Sequence, residues 1–217
     1  ETDISGSMTA SFEDGTRYDG SMKAINEFLD YRKGDAFGLT FFGNSVLHWT
    51  PLTSDASAIR CSPPFMRPEN APYWFGGTEI GKALLACREV LASREKGDRM
   101  IVLVSDGYSW DLENGNDETI AHKLQADNIV VYAVHVADMT VPDEIVNIAA
   151  ITGGEVFEPG DQAGLSAVFQ RIDQMQQTKL EKVASESMDH FHPYALAGLI
   201  VLGLISSTQF GLRYNPW

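Results

Sequence analysis

The residues most capable of chemistry lie at the start of the chain, in Asp3-Ile4-Ser5-Gly6-Ser7. One carboxylate and two hydroxyls occupy alternate positions, so an extended segment leaving a strand can turn all three toward one side. The donors are all oxygen. A hard cation such as Mg²⁺ takes oxygen ligands and keeps several waters, so a site with few carboxylates and neutral hydroxyls suits it better than zinc. Two later segments offer more of the same chemistry: Gly76-Gly77-Thr78 before a helical pattern, and Ser105-Asp106-Gly107 directly after an apolar run. Taken singly, each has an ordinary explanation as a helix cap or glycine turn. Their joint appearance after apolar strands favours a metal site.

These residues must be positioned by a scaffold, and the chain supplies a readable one. Met22, Ile25, Phe28 and Leu29 recur at helical spacing between Ser21 and Tyr31, after a polar loop from Thr9 to Gly20. Lys33-Gly34-Asp35 ends that run. Ala36 to Phe42 is a strand candidate, and Gly43-Asn44 turns it into a second strand over Ser45 to Thr50, closed by Pro51. A short helical turn reaches Ile59, and a proline-rich loop spans Cys61 to Phe75. Ile80, Ala83, Leu84, Cys87 and Leu91 form an amphipathic helix over 79–92. Met100 to Val104 and Ile129 to Val136 are apolar enough for strands covered on both faces. Helices over 117–126, 141–151 and 165–175 and a brief strand over 155–157 complete the alternation. Strands separated by helices predict an α/β fold, a doubly wound, mainly parallel sheet flanked by helices on both faces. Ligands of such sheets gather beyond the carboxyl ends of the strands at a topological switch point, where the three oxygen-bearing segments end.

At 217 residues and 44% hydrophobic, the chain can bury a core in one domain. Its formal charge of -14 repels a nucleic-acid backbone, so no nucleic-acid partner is expected. Cys61 and Cys87 lack metal or redox spacing and read as buried thiols or one disulfide, with the disulfide slightly favoured. No histidine falls in a ligand spacing, and His135 reads as a core residue. Asp111, Glu113, Asn114 and Asp117 miss the EF-hand spacing and read as an acidic, solvated loop. No nucleophile elbow or phosphate-cradling loop is present, so no enzyme activity is expected. A third reading, Asp3 as a phosphoryl acceptor, is disfavoured by the hydroxyls of Ser5 and Ser7.

The C-terminal part changes character. A polar stalk over 176–192 precedes 193–212, where no charged residue occurs from Tyr194 to Leu212, and a short tail, 213–217, follows. A helix over this run is about 30 Å long, the thickness of a bilayer core. Tyr194, Tyr214 and Trp217 sit at its ends as interface anchors, although Ser206, Ser207, Thr208 and Gln209 dilute it. The expectation is a single C-terminal transmembrane helix. Only Glu1 and Thr2 precede the oxygen cluster, so a truncated N-terminus is expected as well.

Asp3-Ile4-Ser5-Gly6-Ser7, Thr78 and Asp106 match the DxSxS, threonine and aspartate elements of the von Willebrand factor A (VWA) domain, and the chain resembles that family from Asp3 to about Met175. The resemblance implies a metal-ion-dependent adhesion site (MIDAS). Ser5, Ser7 and Thr78 would bind Mg²⁺ directly, with Mn²⁺ or Ca²⁺ as substitutes, and Asp3 and Asp106 would hold coordinating waters. Such a centre accepts a carboxylate from a protein partner. Loops over 9–18, 66–75 and 108–116 should border it, with Trp74, Phe75, Tyr108 and Trp110 as contact aromatics.

With the terminal helix, the chain looks like the membrane-anchored bacterial Bat-type aerotolerance and methanol-oxidation-operon proteins, a likeness carried also by residues 32–39 and Pro51-Leu52-Thr53-Ser54-Asp55. It implies a bacterial inner-membrane protein with a periplasmic VWA domain and further N-terminal spans. It also implies a link to MoxR-type AAA ATPase systems and a role in assembly or maturation of an envelope complex. The alternative is a structural accessory subunit held by its transmembrane helix, its metal site idle.

Overall fold

The structure is a computed structural model and describes residues 1–12, 15–31, 35–61, 65–93, 97–137, 139–177 and 192–211. The chain divides into two compact units, Glu1–Lys179 and Leu180–Trp217.

The first unit is built on a six-stranded sheet. Its strands are β1 (Thr2–Asp3), β4 (Phe37–Phe42), β5 (Val46–Thr53), β6 (Arg99–Ser105), β7 (Ile129–His135) and β8 (Val156–Phe157), in the spatial order β5-β4-β1-β6-β7-β8. All neighbours are parallel except the hairpin pair β4 and β5. A small antiparallel pair, β2 (Ser11–Phe12) and β3 (Gly15–Thr16), stands apart. Pro51 lies inside β5 rather than ending it, because β5 is an edge strand and one side needs no ladder donor.

The apolar runs of β6 and β7 are covered on both faces, as expected. Val104, Tyr132 and Val134 face a core shared with α1 (Arg17–Tyr31) and α6 (Gln162–Gln177), through Met22, Phe28 and Phe169. Ile101, Leu103, Val131 and Ala133 point the other way, onto α3 (Ile80–Ala92), α4 (Asn116–Ala126) and α5 (Asp143–Thr152). The period of two along each strand feeds both layers. Helix α1 begins at Arg17, inside the expected polar loop, and Tyr18 in its first turn is fully buried. The short helix α2 covers Ser57–Arg60.

Cys61 and Cys87 are both free, which corrects the disulfide. They belong to different elements: Cys61 is exposed after α2, whereas Cys87 packs from α3 against the second core, where burial pushes its thiol up to about 12.

In the second unit, α7 spans His192–Gly211. Its described side chains from Leu196 to Ile205 include seven large apolar residues, all more than half exposed. The expected transmembrane reading is not met there: among the described residues, no helix is long and apolar enough to cross a membrane. Most of the stalk over 176–192, the tail 213–217, Lys33-Gly34 and the anchors Tyr214 and Trp217 lie outside the described residues.

Candidate metal centre

Strand β1 is short but central, hydrogen-bonded on both sides. The Ile4 amide donates to the Phe42 carbonyl at 2.9 Å, and the Val104 amide donates to the Glu1 carbonyl at 2.9 Å. From β1 the chain crosses first to β4 and β5, and later returns on the other side at β6. The loops after β1 and β6 therefore diverge at a switch point, and Asp3-Ser7 and Asp106 sit on its two lips.

Asp3 is fully buried and fixed by two donors. Its Oδ1 accepts the Ser5 amide at 2.7 Å, and its Oδ2 accepts the Ser105 hydroxyl at 2.7 Å. After it the backbone enters a 3₁₀ turn, Gly6–Thr9, which swings Ser7 toward β6. The Ser7 hydroxyl donates to Asp106 Oδ1 at 2.7 Å. Its oxygen lies 3.0 Å from Ser5 Oγ, and because Ser7 has committed its one proton, Ser5 is the donor in that contact. Asp106 Oδ2 receives Arg17 Nη1, from the start of α1, at 2.6 Å. Asp3, Ser5, Ser7 and Asp106 are thus joined by short bonds.

Thr78 arrives from the other side. A Cβ built on Gly107 would lie 3.6 Å from Thr78 Oγ1, which places the threonine hydroxyl against the residue after Asp106. Its segment is zipped to the turn after β4: the Asn44 amide donates to the Phe75 carbonyl at 3.3 Å and the Glu79 amide to the Gly43 carbonyl at 3.0 Å. Gly77 has φ +116°, where a Cβ would collide with the Asn44 side chain. The N-terminus of α3 is satisfied from the loop after β6. Ser109 Oγ accepts the Ile80 amide at 2.7 Å, and Asp111 Oδ2 accepts the Lys82 amide at 2.9 Å. The Ser109 hydroxyl also lies 3.0 Å from the Thr78 carbonyl and 2.5 Å from Asp111 Oδ1.

The loop 108–117 therefore differs from a merely solvated acidic loop. Asp111 caps α3, and Asp117 is buried and accepts the Asn147 amide nitrogen at 3.0 Å. His135, the β7 partner of Ser105, is buried with Nε2 3.0 Å from the Met139 carbonyl, as a core histidine.

The aromatic residues split. Trp74, Tyr108 and Trp110 are more than half exposed, and Tyr108 donates to Glu113. Phe75 is not a surface contact: it is 7% exposed and packs into the first core. Alternation in the 3₁₀ turn Tyr73–Phe75 turns Phe75 inward and leaves Tyr73 at the surface, 5.1 Å from Trp74 in an edge-on pair. Trp110 borders an open hollow of about 530 Å³.

The donor set fits a hard divalent cation. It consists of hydroxyls and two carboxylates, and among the described residues there is no group of three or more His, Cys, Asp or Glu that could hold a metal. That composition disfavours a carboxylate-rich calcium cage or a thiolate and imidazole zinc site.

Burial pushes Asp3 up to about 6, a rise opposed by the hydrogen bonds from Ser105 and Ser5. Because the folded value exceeds the ordinary one near 4, the neutral form stabilises the domain below pH 4, and this contribution is lost as pH rises through about 6. With chelator present, wild type should lose on the order of 3 kcal/mol relative to Asp3→Asn between pH 4 and 7. Thermal melts of the two proteins across that range check this, and parallel curves would refute it.

A doubly wound α/β domain with an oxygen-donor site at its switch point is the class these features define. The chain belongs to the von Willebrand factor type A domain family, whose profile matches residues 2–109. The fold is that of an aerotolerance-related membrane protein from Bacteroides fragilis, at TM-score 0.69 and 19% identity over 82% of this chain and 96% of that one. BatB from Bacteroides thetaiotaomicron matches at TM-score 0.67 and 20% identity, over 81% and 96%. Proximal thread matrix protein 1 from the mussel byssus, with a zinc-occupied MIDAS motif, matches at TM-score 0.62 and 24% identity, over 79% and 45%. At these identities the likeness is one of fold. No curated protein sequence matches the chain.

Proposed function

We propose that this domain is a metal-dependent protein-interaction module whose cation, bound through Ser5, Ser7 and Thr78 with Asp3 and Asp106 behind them, accepts a carboxylate from a protein partner. The observation that carries the reading is the bonded cluster of Asp3, Ser5, Ser7 and Asp106 at the switch point, with Trp74 exposed just before Thr78 and Tyr108 and Trp110 exposed just after Asp106. Few direct carboxylates leave a bound Mg²⁺ with net positive charge, and so with affinity for an acidic side chain. The zinc-occupied MIDAS motif of the mussel protein supports a divalent cation in this fold.

The setting we propose is the bacterial inner membrane, with the domain on its periplasmic side. There it would serve assembly or maturation of an envelope complex together with a MoxR-type AAA ATPase system. The fold shared with an aerotolerance-related membrane protein supports this setting, as does a helix apolar on every side from Leu196 to Ile205. The exposed apolar side chains between Leu196 and Ile205 would hold the chain at that membrane. The reading is non-catalytic.

Partner capture from envelope extracts tests it. Binding should require Mg²⁺, disappear with chelator, and weaken about tenfold or more in Trp74→Ala or Trp110→Ala while Mg²⁺ affinity stays unchanged. Equal capture with Mg²⁺ and chelator would sink the proposal. If deletion of 193–217 alone abolishes capture, the chain is instead an accessory subunit held by its helix.

A further inference from the structure

From the sequence Arg17 reads only as part of a loop bordering the site, yet it makes the closest charged contact in it. Its guanidinium bonds Asp106 Oδ2 at 2.6 Å; the Asp106 side chain is fully buried and that of Arg17 is only 16% exposed. Asp106 Oδ1 is occupied by Ser7, so the aspartate engages a cation on one oxygen and a metal-site hydroxyl on the other. Arg17 is itself fixed: it opens α1, beside the buried Tyr18, and its amide donates to the Ala10 carbonyl at 2.9 Å.

The geometry points to Arg17 as a resident counter-cation of the metal centre, a positioning residue that holds Asp106 aimed at Ser7 while lowering the affinity of the site for divalent cations. This rests on the reading of the site as a metal centre. The two carboxylates together carry two negative charges, and Arg17 cancels one before any metal binds. A dication entering beside it meets a like charge at short range in a partly buried setting, where screening is weak. The loaded site then keeps one more positive charge than the same site without Arg17, which favours a partner's carboxylate at the expense of metal affinity.

The test is calorimetric titration of the full chain in detergent with magnesium chloride. Arg17→Gln keeps a donor for Asp106 Oδ2 but removes the charge, and Arg17→Lys keeps the charge. Arg17→Gln should bind Mg²⁺ roughly tenfold or more tighter than wild type, within the range by which partners of metal ligands tune affinity. Arg17→Lys should stay within about threefold of wild type on the same scale. Circular dichroism establishes that each variant is folded. If wild type binds Mg²⁺ and folded Arg17→Gln binds no tighter, the inference about Arg17 is overturned and the metal reading stands. Equal tightening in both variants would also overturn it, because charge would then not be the cause. If no protein binds Mg²⁺, the metal reading fails and takes the inference with it.

Discussion

Asp3→Asn should abolish Mg²⁺ binding while leaving the domain at least as stable as wild type in chelator. The two halves of that result have different causes. Asp3 is buried at the end of the central strand with its charge held against desolvation, as its elevation to about 6 shows. At pH 7 keeping that charge costs on the order of 3 kcal/mol. Removing it while preserving shape recovers part of this. An asparagine can still accept the Ser5 amide through its oxygen, and its NH₂ can donate to Ser105 Oγ, so neither buried partner is orphaned. A net gain of about 1–2 kcal/mol, or roughly 2–8 °C in chelator, is the expected size. The cation, however, loses one of only two carboxylates that compensate it. Melting of Asp3→Asn should therefore be indifferent to Mg²⁺, whereas wild type melts higher with Mg²⁺ than with chelator. Asp3→Ala is less informative, since two buried donors losing their acceptor cost about 1–3 kcal/mol each. A folded Asp3→Asn that still shifts with Mg²⁺ would refute the assignment of Asp3.

The sheet could be read from the chain because its signals are local. The apolar runs before Ser105 and Val136 and the helical spacing of Ile80, Ala83, Leu84 and Leu91 each follow from one element's own pattern. What escaped depends on contacts between distant segments. Ser105 anchors Asp3 across 102 positions, and neither residue announces the other. Arg17 reads as part of a polar loop because its helix begins among Arg17, Asp19 and Gly20, which supply no apolar period; only Tyr18, itself amphipathic, enters the core. Asp111 read as an acidic loop residue because a cap supplied to another helix leaves no spacing signal. Phe75 and Trp74 are adjacent aromatics, and only the turn they share decides which faces inward. The apolar content of α7 is plain in the sequence, but what surrounds a helix does not follow from its composition.

Gly43→Ala, remote from every proposed ligand in sequence, should damage the metal centre more than substitution at a glycine inside it. A Cβ on Gly43 would fall 1.9 Å from the Phe75 carbonyl oxygen, 2.9 Å from its carbon and 3.1 Å from the Gly77 oxygen. All three are backbone atoms, so no rotamer change relieves the clash and one of the two segments must move. The displaced segment is the one that delivers Thr78, held in place by the Asn44 to Phe75 and Glu79 to Gly43 hydrogen bonds. Overpacking of this kind costs about 1–3 kcal/mol, and losing the two bonds adds roughly 1–3 kcal/mol, so a fall of about 2–5 kcal/mol is expected. Mg²⁺ affinity should drop at least tenfold, on the order seen when supporting residues of a metal site are changed. Gly107→Ala is the comparison. It lies next to Asp106, but its Cβ would meet Thr78 at 3.6 and 3.8 Å, ordinary contact, and both stability and Mg²⁺ binding should stay near wild type. Denaturant titration and calorimetry on the pair decide the matter. If Gly107→Ala proves the more harmful, Thr78 is not positioned by the turn after β4.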